Sequence, residues 1–170
     1  MKKKITIRFA TIKDLPFIVN IYNQAIRSKC ATGDIKEFQV NERVGWFNNF
    51  NSNSYPLYIA ETQNTIVGYC SISPYRPGRQ AMFKVAEISY YVDYNHHKRG
   101  IGTKLLRHVI TDCERLGKDH LLAILLDINV STIKILNKFS FKKLGHFPNI
   151  IQFEDKKCGH YIYGLNLLEQ

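Results

Sequence analysis

Long apolar runs are absent from this chain. No stretch approaches the roughly 18 apolar residues that a membrane-spanning helix needs, so a membrane partner is not expected. A secretory leader is not expected either. Met1-Lys2-Lys3-Lys4 is basic, but Ile5-Thr6-Ile7-Arg8-Phe9 alternates apolar with polar residues where an apolar core of about 7–15 residues would stand. Cysteine is sparse. Cys30, Cys70, Cys113 and Cys158 lie about forty residues apart with no C-x-x-C pair, which argues against a disulfide framework and a metal site. They read as reduced, mostly buried thiols, so a cytoplasmic location is expected. Repeats, low-complexity stretches and linkers are also lacking, and residues 1–170 read as one domain.

Acid is scarce relative to base: 14 Asp+Glu stand against 24 Lys+Arg, a net charge of +10. That excess suits nucleic acid, a membrane surface or a polyphosphate cofactor. Between Tyr94 and Thr111 there is no acid at all, while Lys98, Arg99, Lys104 and Arg107 fall there with His96, His97 and His108. The plain reading is a solvated helix face; the sharper one is an anion site.

What is present is a pattern of alternating elements. Ile5, Ile7 and Phe9 predict a first strand. Thr11 or Asp14 can cap a helix carrying Leu15, Ile18, Val19, Tyr22 and Ile26, with Pro16 in its first turn. A loop over 28–40 and a short helix through Val44, Phe47 and Phe50 follow. Strands are predicted at 57–61 and 66–73 around Gln63-Asn64, then at 83–93 after a loop of Pro and Gly. A helix over 100–116 ends at Gly117, strand 121–126 is continuously apolar, a helix covers 131–139, and strands at 141–147 and 160–167 close the chain. This order predicts an α/β (α+β type) fold, a mixed central sheet of about seven strands flanked by about four helices.

The segment from Glu87 to Thr103 carries the chemistry: a strand, a basic loop with glycines at 100 and 102, and a helix start. The first N–H groups of a helix lack internal partners and the dipole places positive charge there. A phosphate can sit on them, and glycines let it approach. G-x-x-x-x-G-K-[ST] is absent, and Leu105 excludes G-x-G-x-x-G. No RNP or KH motif supports nucleic-acid binding, so that module remains the reading from another class.

His97-Lys98-Arg99-Gly100-Ile101-Gly102 resembles the [Q/R]-x-x-G-x-[G/A] signature of the GNAT acetyltransferases, with His97 departing from it. Residues 129–141 resemble the family's N-x-x-[A/S]-x-x-L-Y-x-x-x-G-F, with Leu136 and Ser140 in place of Tyr and Gly. The chain is most similar to the phosphinothricin acetyltransferase branch, through Ile7-Arg8-Phe9-Ala10-Thr11, Tyr22-Asn23, Ala31-Thr32 with Asp34, Arg43-x-x-Trp46-Phe47, Arg79-x-Ala81 leading to Glu87, and His160. Gly33, Met82 and Phe83 depart from that branch.

The resemblance implies an acetyl-CoA-dependent N-acetyltransferase acting without a metal on a small amine, such as an amino acid of the phosphinothricin, methionine sulfoximine or methionine sulfone type, and a homodimer. A peptide N-terminus or a polyamine is the other acceptor; an acyl-CoA sensor without catalysis is the inactive variant of the same reading. It implies Glu87 as general base, against a carboxylate on a solvated face. It implies cofactor contacts from Tyr90, Tyr91 and Val92 through their backbone, from His97, Lys98, Arg99, Gly100, Ile101, Gly102 and Thr103 at the pyrophosphate, and from Asn129, which could equally be a helix N-cap. Thr32, Asp34, Arg76, Arg79 and His160 are implied on the substrate side; exposed loop arginines and a structural histidine are the plain alternatives. Leu136 cannot protonate a leaving thiolate.

Overall fold

The computed structural model describes residues 4–169. Its seven strands form one sheet in the order β1-β2-β3-β4-β5-β7-β6. They are β1 (Thr6–Phe9), β2 (Leu57–Thr62), β3 (Thr65–Pro74), β4 (Val85–Val92), β5 (His120–Leu126), β6 (Lys142–Gln152) and β7 (Lys157–Asn166). Every neighbour pair is antiparallel except β4 with β5. The helices are α1 (Leu15–Ser28), α2 (Val44–Phe47), α3 (Ile101–Asp112) and α4 (Val130–Lys138). None of the described helices is long and apolar enough to cross a membrane.

Alternation along the strands divides the sheet into two faces. Ala86 and Ile88 on β4, Leu121, Ala123 and Leu125 on β5, and Tyr163 and Leu165 on β7 pack with Ile101, Leu105, Leu106 and Val109 of α3 and Leu136 of α4. Ile59 and Tyr69 face the other way, against Ile18 and Ile21 of α1, with Trp46 and Phe47 of α2 beside them. Burying each such side chain contributes about 1.5–3 kcal/mol, so α3 is anchored chiefly by its i, i+4 and i+8 row of Ile101, Leu105 and Val109. Cys70, Cys113 and Cys158 are buried and Cys30 half-buried; all four are free thiols.

Four boundaries differ from the sequence expectation. The short helix α2 ends at Phe47 and does not reach Phe50, whose N–H donates to the Phe47 carbonyl in a closing turn at 3.2 Å. Strand β4 starts at Val85 rather than Phe83, because Gln80–Met82 forms a 3-10 turn that Phe83 closes, its N–H donating to the Gln80 carbonyl at 3.1 Å. Helix α3 ends at Asp112; residues 113–117 carry on as turns and close at Gly117 (φ 63°), with Lys118 N–H donating to the Cys113 carbonyl at 2.9 Å. That is the glycine cap expected, reached by a looser last turn. The final hairpin is longer than expected at its turn end, running through 142–152 and 157–166. Strand β6 is exposed along nearly its whole length, so it shows no alternation to read. Its Pro148 is tolerated because an edge strand need not donate outward, and register shifts between Lys143/Gly145 and Phe147/Ile151 absorb the irregularity.

Two glycines of β7 show how tightly that hairpin is packed. A Cβ on Gly159 would collide with the Asp127 carboxylate and stand 2.7 Å from both His146 Nε2 and the Phe147 carbonyl oxygen. A Cβ on Gly164 would meet chiefly the tip of Leu144, an exposed side chain free to swing away. Gly159→Ala is therefore expected to cost about 1–3 kcal/mol of stability and Gly164→Ala clearly less; thermal denaturation of the two variants checks the order, and equal losses would contradict it.

Candidate active site

The sheet forks at its centre. β4 and β5 pair only through Val85↔His120, Ala86↔Leu121 and Glu87↔Leu122. Beyond Glu87, β4 continues alongside β3 as far as Gly68↔Val92, while β5 continues alongside β7 as far as Leu126↔His160. The facing edges of residues 88–92 and 123–126 thus have no strand between them. Backbone N–H and C=O groups on such edges seek partners, and an extended ligand can supply them.

Glu87 stands at the base of this fork. With Ser89 and Tyr91 it projects to the α1 face, opposite Ser73, Ser71 and Tyr69 of β3. Ser71 is buried and its Oγ donates to the Ser89 carbonyl at 3.5 Å. The two serines leave room between Glu87 and the Tyr69–Tyr91 pair. Glu87 is half-buried and forms no ion pair among the described residues. Desolvation pushes its carboxyl above the ordinary glutamate value.

The loop over 28–40 closes the α1 side. The Tyr22 hydroxyl donates to Asp34 and meets Thr32 Oγ1 at 2.8 Å, while Asn23 exchanges two hydrogen bonds with the Phe38 backbone at 2.9 and 3.0 Å. Thr32 and Asp34 are thereby committed to fixing this loop on α1. Tyr22 stacks edge-on against Tyr91 with centroids 5.0 Å apart, and Arg43 lies over the rings of Trp46, Phe38 and Tyr22 at 4.2, 4.9 and 5.2 Å. The motif residues at 22–23 and 43–47 are in this way explained as one aromatic brace behind β4.

On the opposite side of the fork, Lys98 and Gly100 both take left-handed backbone (φ 60° and 76°) between β4 and α3. Lys98, Arg99 and Gly100 are exposed, and open space surrounds the position a Gly100 Cβ would take. The α3 N-terminus has no side-chain cap, leaving its first donors for a ligand. His97 turns back: its Nε2 meets the Val92 carbonyl at 3.0 Å and its ring lies tilted against Tyr94 at 4.4 Å between centroids, so it braces the loop. Ile101 and Gly102 are buried and Thr103 half-buried. Gly102 also has a packing role. Its missing Cβ would stand 3.0 Å from Tyr90 Cε2, so this glycine lets α3 pack closely on β4, whereas Gly100 faces open space.

Asn129 is the N-cap of α4, its Oδ1 accepting from Thr132 N–H at 3.2 Å. Leu136 is fully buried in the core. Arg76 and Arg79 are exposed in the loop after β3 and pair with no carboxylate among the described residues; Arg76 lies 5.5 Å from the Tyr75 ring centroid. His160 shares the sheet face of Glu87, and burial pushes its pKa down against the opposing pull of Asp127. Sequence reasoning did not single out the serine floor, although Glu87 and Ser89 share a strand face by alternation, nor the Asp127–His146 contact at 3.0 Å, which no local spacing signals. No group of three or more metal-ligating side chains that could hold an ion occurs among the described residues.

Comparison with known proteins agrees with this architecture. YwnH of Bacillus subtilis, whose name assigns it provisionally to the phosphinothricin acetyltransferases, is 32% identical over 164 residues, covering 96% of this chain and 99% of YwnH. The L-methionine sulfoximine/L-methionine sulfone acetyltransferase of Salmonella typhimurium is 28% identical over 86% of this chain and 85% of its own. The structure of yncA from Salmonella typhimurium with its cofactor acetyl-CoA superposes with a TM-score of 0.89 at 26% identity, covering 98% of this chain and 95% of that one. The profile of the acetyltransferase (GNAT) family matches residues 18–141, and with a fork of this geometry behind that match, the chain belongs to the GNAT family of acetyltransferases.

Proposed function

We propose that this chain transfers the acetyl group of acetyl-CoA to the α-amine of a small amino-acid-like acceptor of the phosphinothricin, methionine sulfoximine or methionine sulfone type. The observation that carries it is Glu87, a desolvated and unpaired carboxylate at the point where β4 leaves β5. The fork fits the cofactor: unpaired strand edges can hold its extended arm, and the uncapped α3 N-terminus with Lys98, Arg99 and Gly100 can hold its pyrophosphate. Acetyl-CoA supplies the acetyl thioester and a thiolate leaving group. Tyr90, Tyr91 and Val92 offer backbone to the arm, His97 through Thr103 shape the phosphate end, and Asn129 holds the start of α4 beside it. The same reading makes the protein a cytoplasmic homodimer, one domain over residues 1–170, with neither nucleic acid nor membrane as partner.

Acetyl transfer needs a neutral amine, and most amines are protonated near pH 7. Glu87, with its pKa raised by desolvation, is a base that can take that proton directly or through water. Leu136 offers no proton, so the thiolate departs as such or is protonated from elsewhere. The acceptor class is supported by the names of the relatives and by the loop arginines: Arg76 and Arg79 precede the strand bearing Glu87, and a guanidinium can grip a carboxylate through two parallel hydrogen bonds. His160, held neutral by burial, and the loop fixed by Thr32 and Asp34 complete the acceptor side.

Glu87→Gln is expected to lower kcat by about 10²–10⁴-fold near neutral pH, with acetyl-CoA affinity nearly intact and the deficit shrinking as free amine rises with pH. The wild-type rate should fall as pH drops through the raised Glu87 pKa, and that acid limb should vanish in the variant. Because a raised carboxyl pKa means the ionised form opposes folding above that pH, the variant should be no less stable than wild type at pH 7. A wild-type kcat at pH 7 would place the base elsewhere.

Reversing Lys98 and Arg99 to Glu together should raise the KM for acetyl-CoA about tenfold or more, about 1.4 kcal/mol, and flatten its dependence on salt. Steady-state kinetics across ionic strength reads both, and an unchanged KM in the folded variant would remove the phosphate site from this loop.

A thiol-release assay over amino-acid analogues, polyamines and peptides tests the acceptor. Amino-acid analogues should turn over fastest, and Arg79→Ala should raise their KM while sparing carboxylate-free amines. Faster turnover of polyamines or peptides would overturn the acceptor class and leave the acetyltransferase intact.

A further inference from the structure

Three successive residues of α1 carry polar side chains that leave the helix for other elements. Tyr22 and Asn23 hold the loop over 28–40. Gln24 reaches instead to the loop between β4 and α3. Its Nε2 donates to Asp93 Oδ2 at 2.9 Å, and its Oε1 accepts from the Tyr94 N–H at 2.8 Å.

Asp93 is the hub of that loop. Its other oxygen, Oδ1, accepts from the Asn95 N–H at 3.0 Å and meets His96 Nδ1 at 2.8 Å, while its own N–H donates to the Val67 carbonyl of β3 at 3.0 Å. Past this point the chain is exposed at 94, 95 and 97–100. Among the described residues, the backbone of 94–99 makes one hydrogen bond outside the segment 92–104, the one to Gln24. The Tyr94 side chain approaches the same helix, with Ser28 and Cys30 beside its hydroxyl. α1 is itself anchored by buried Ile18, Ile21 and Ala25, so Gln24 ties a loop with little packing of its own to a rigid support.

The residue type matters. The site asks for one acceptor and one donor side by side on a single head, which a carboxamide supplies. A carboxylate would face Asp93 with like charge. An apolar side chain would leave the Tyr94 N–H and one Asp93 oxygen without these partners.

We propose that Gln24 is a positioning residue for the acetyl-CoA site. It acts through Asp93 and Tyr94 and not on the cofactor itself: by fixing the loop in the free protein, it keeps Lys98, Arg99 and the uncapped α3 N-terminus arranged for a pyrophosphate. Ordering the loop only at the moment of binding would draw on the binding energy. The proposal rests on the reading of this loop as the phosphate site.

Gln24→Met keeps the length and helix propensity of the side chain and removes both hydrogen bonds. In the full-length protein, calorimetric titration should show CoA bound about tenfold more weakly. Gln24→Glu should weaken it at least as much. Asp93→Asn alone sets two amides face to face and should weaken it too, where a mere charge effect would strengthen it. Combining Gln24→Glu with Asp93→Asn restores a donor opposite the carboxylate at unchanged net charge, and this double variant should bind CoA within about threefold of wild type. Unchanged CoA affinity in Gln24→Met, tighter binding by Asp93→Asn, or a double variant as weak as Gln24→Glu would each overturn the proposal. Wild-type protein that fails to bind CoA would instead refute the acetyl-CoA reading itself.

Discussion

The brevity of the β4–β5 pairing is the constraint on which the rest of this structure turns. Three register pairs join the two strands, and each is then held by a different neighbour: β4 by the long antiparallel ladder with β3, β5 by the ladder with β7. Closing the gap would require tearing one of those ladders. Separation is thus enforced from outside the cleft, by hydrogen bonds that no ligand touches, and the cleft is built before anything enters it. Such pre-formed geometry spares a ligand the cost of ordering the site.

The fork also separates two kinds of chemistry across one sheet. On the α3–α4 side stand exposed Lys98 and Arg99, an uncapped helix start and a tightly packed aromatic ring, suited to polyanion and arm. On the α1 side stand Glu87, two serines and an aromatic brace around Arg43, where the proposed acceptor would bind. Strand alternation alone assigns Glu87 and Tyr90 to opposite sides, three residues apart. The hairpin of β6 and β7 flanks the second region, and at its tip Glu154 and Asp155 reach Lys29 at the end of α1 across 4.0 and 3.5 Å. An exposed pair of this kind contributes little to stability, but it ties the tip of the hairpin to the end of α1.

Much of this was legible in the residues. The continuous apolar run at 121–126 gave a buried strand, the glycines at 100 and 102 gave the helix start, and Glu87 stood out in an otherwise apolar and aromatic strand. What remained hidden was set by tertiary partners. The extent of β6 could not be read because an exposed edge strand carries no alternation. The two glycines looked equivalent in sequence, yet Gly100 serves backbone conformation and open space while Gly102 serves the ring of Tyr90. Thr32 and Asp34 read as substrate residues, but only the fold shows that both are held by Tyr22.

The cysteines carry a consequence of a different kind. Cys70 and Cys113 lie in the main core, Cys158 is buried beside Phe153, and only Cys30 is half-open to solvent. Desolvation pushes the Cys113 thiol up to about 12 and Cys70 higher still, so neither forms appreciable thiolate, the species that peroxides and electrophiles attack. Thiol oxidation is thus directed to Cys30, at the end of α1 and away from the main core, and the interior cysteines keep their packing through conditions that would inactivate a thiol-dependent catalyst.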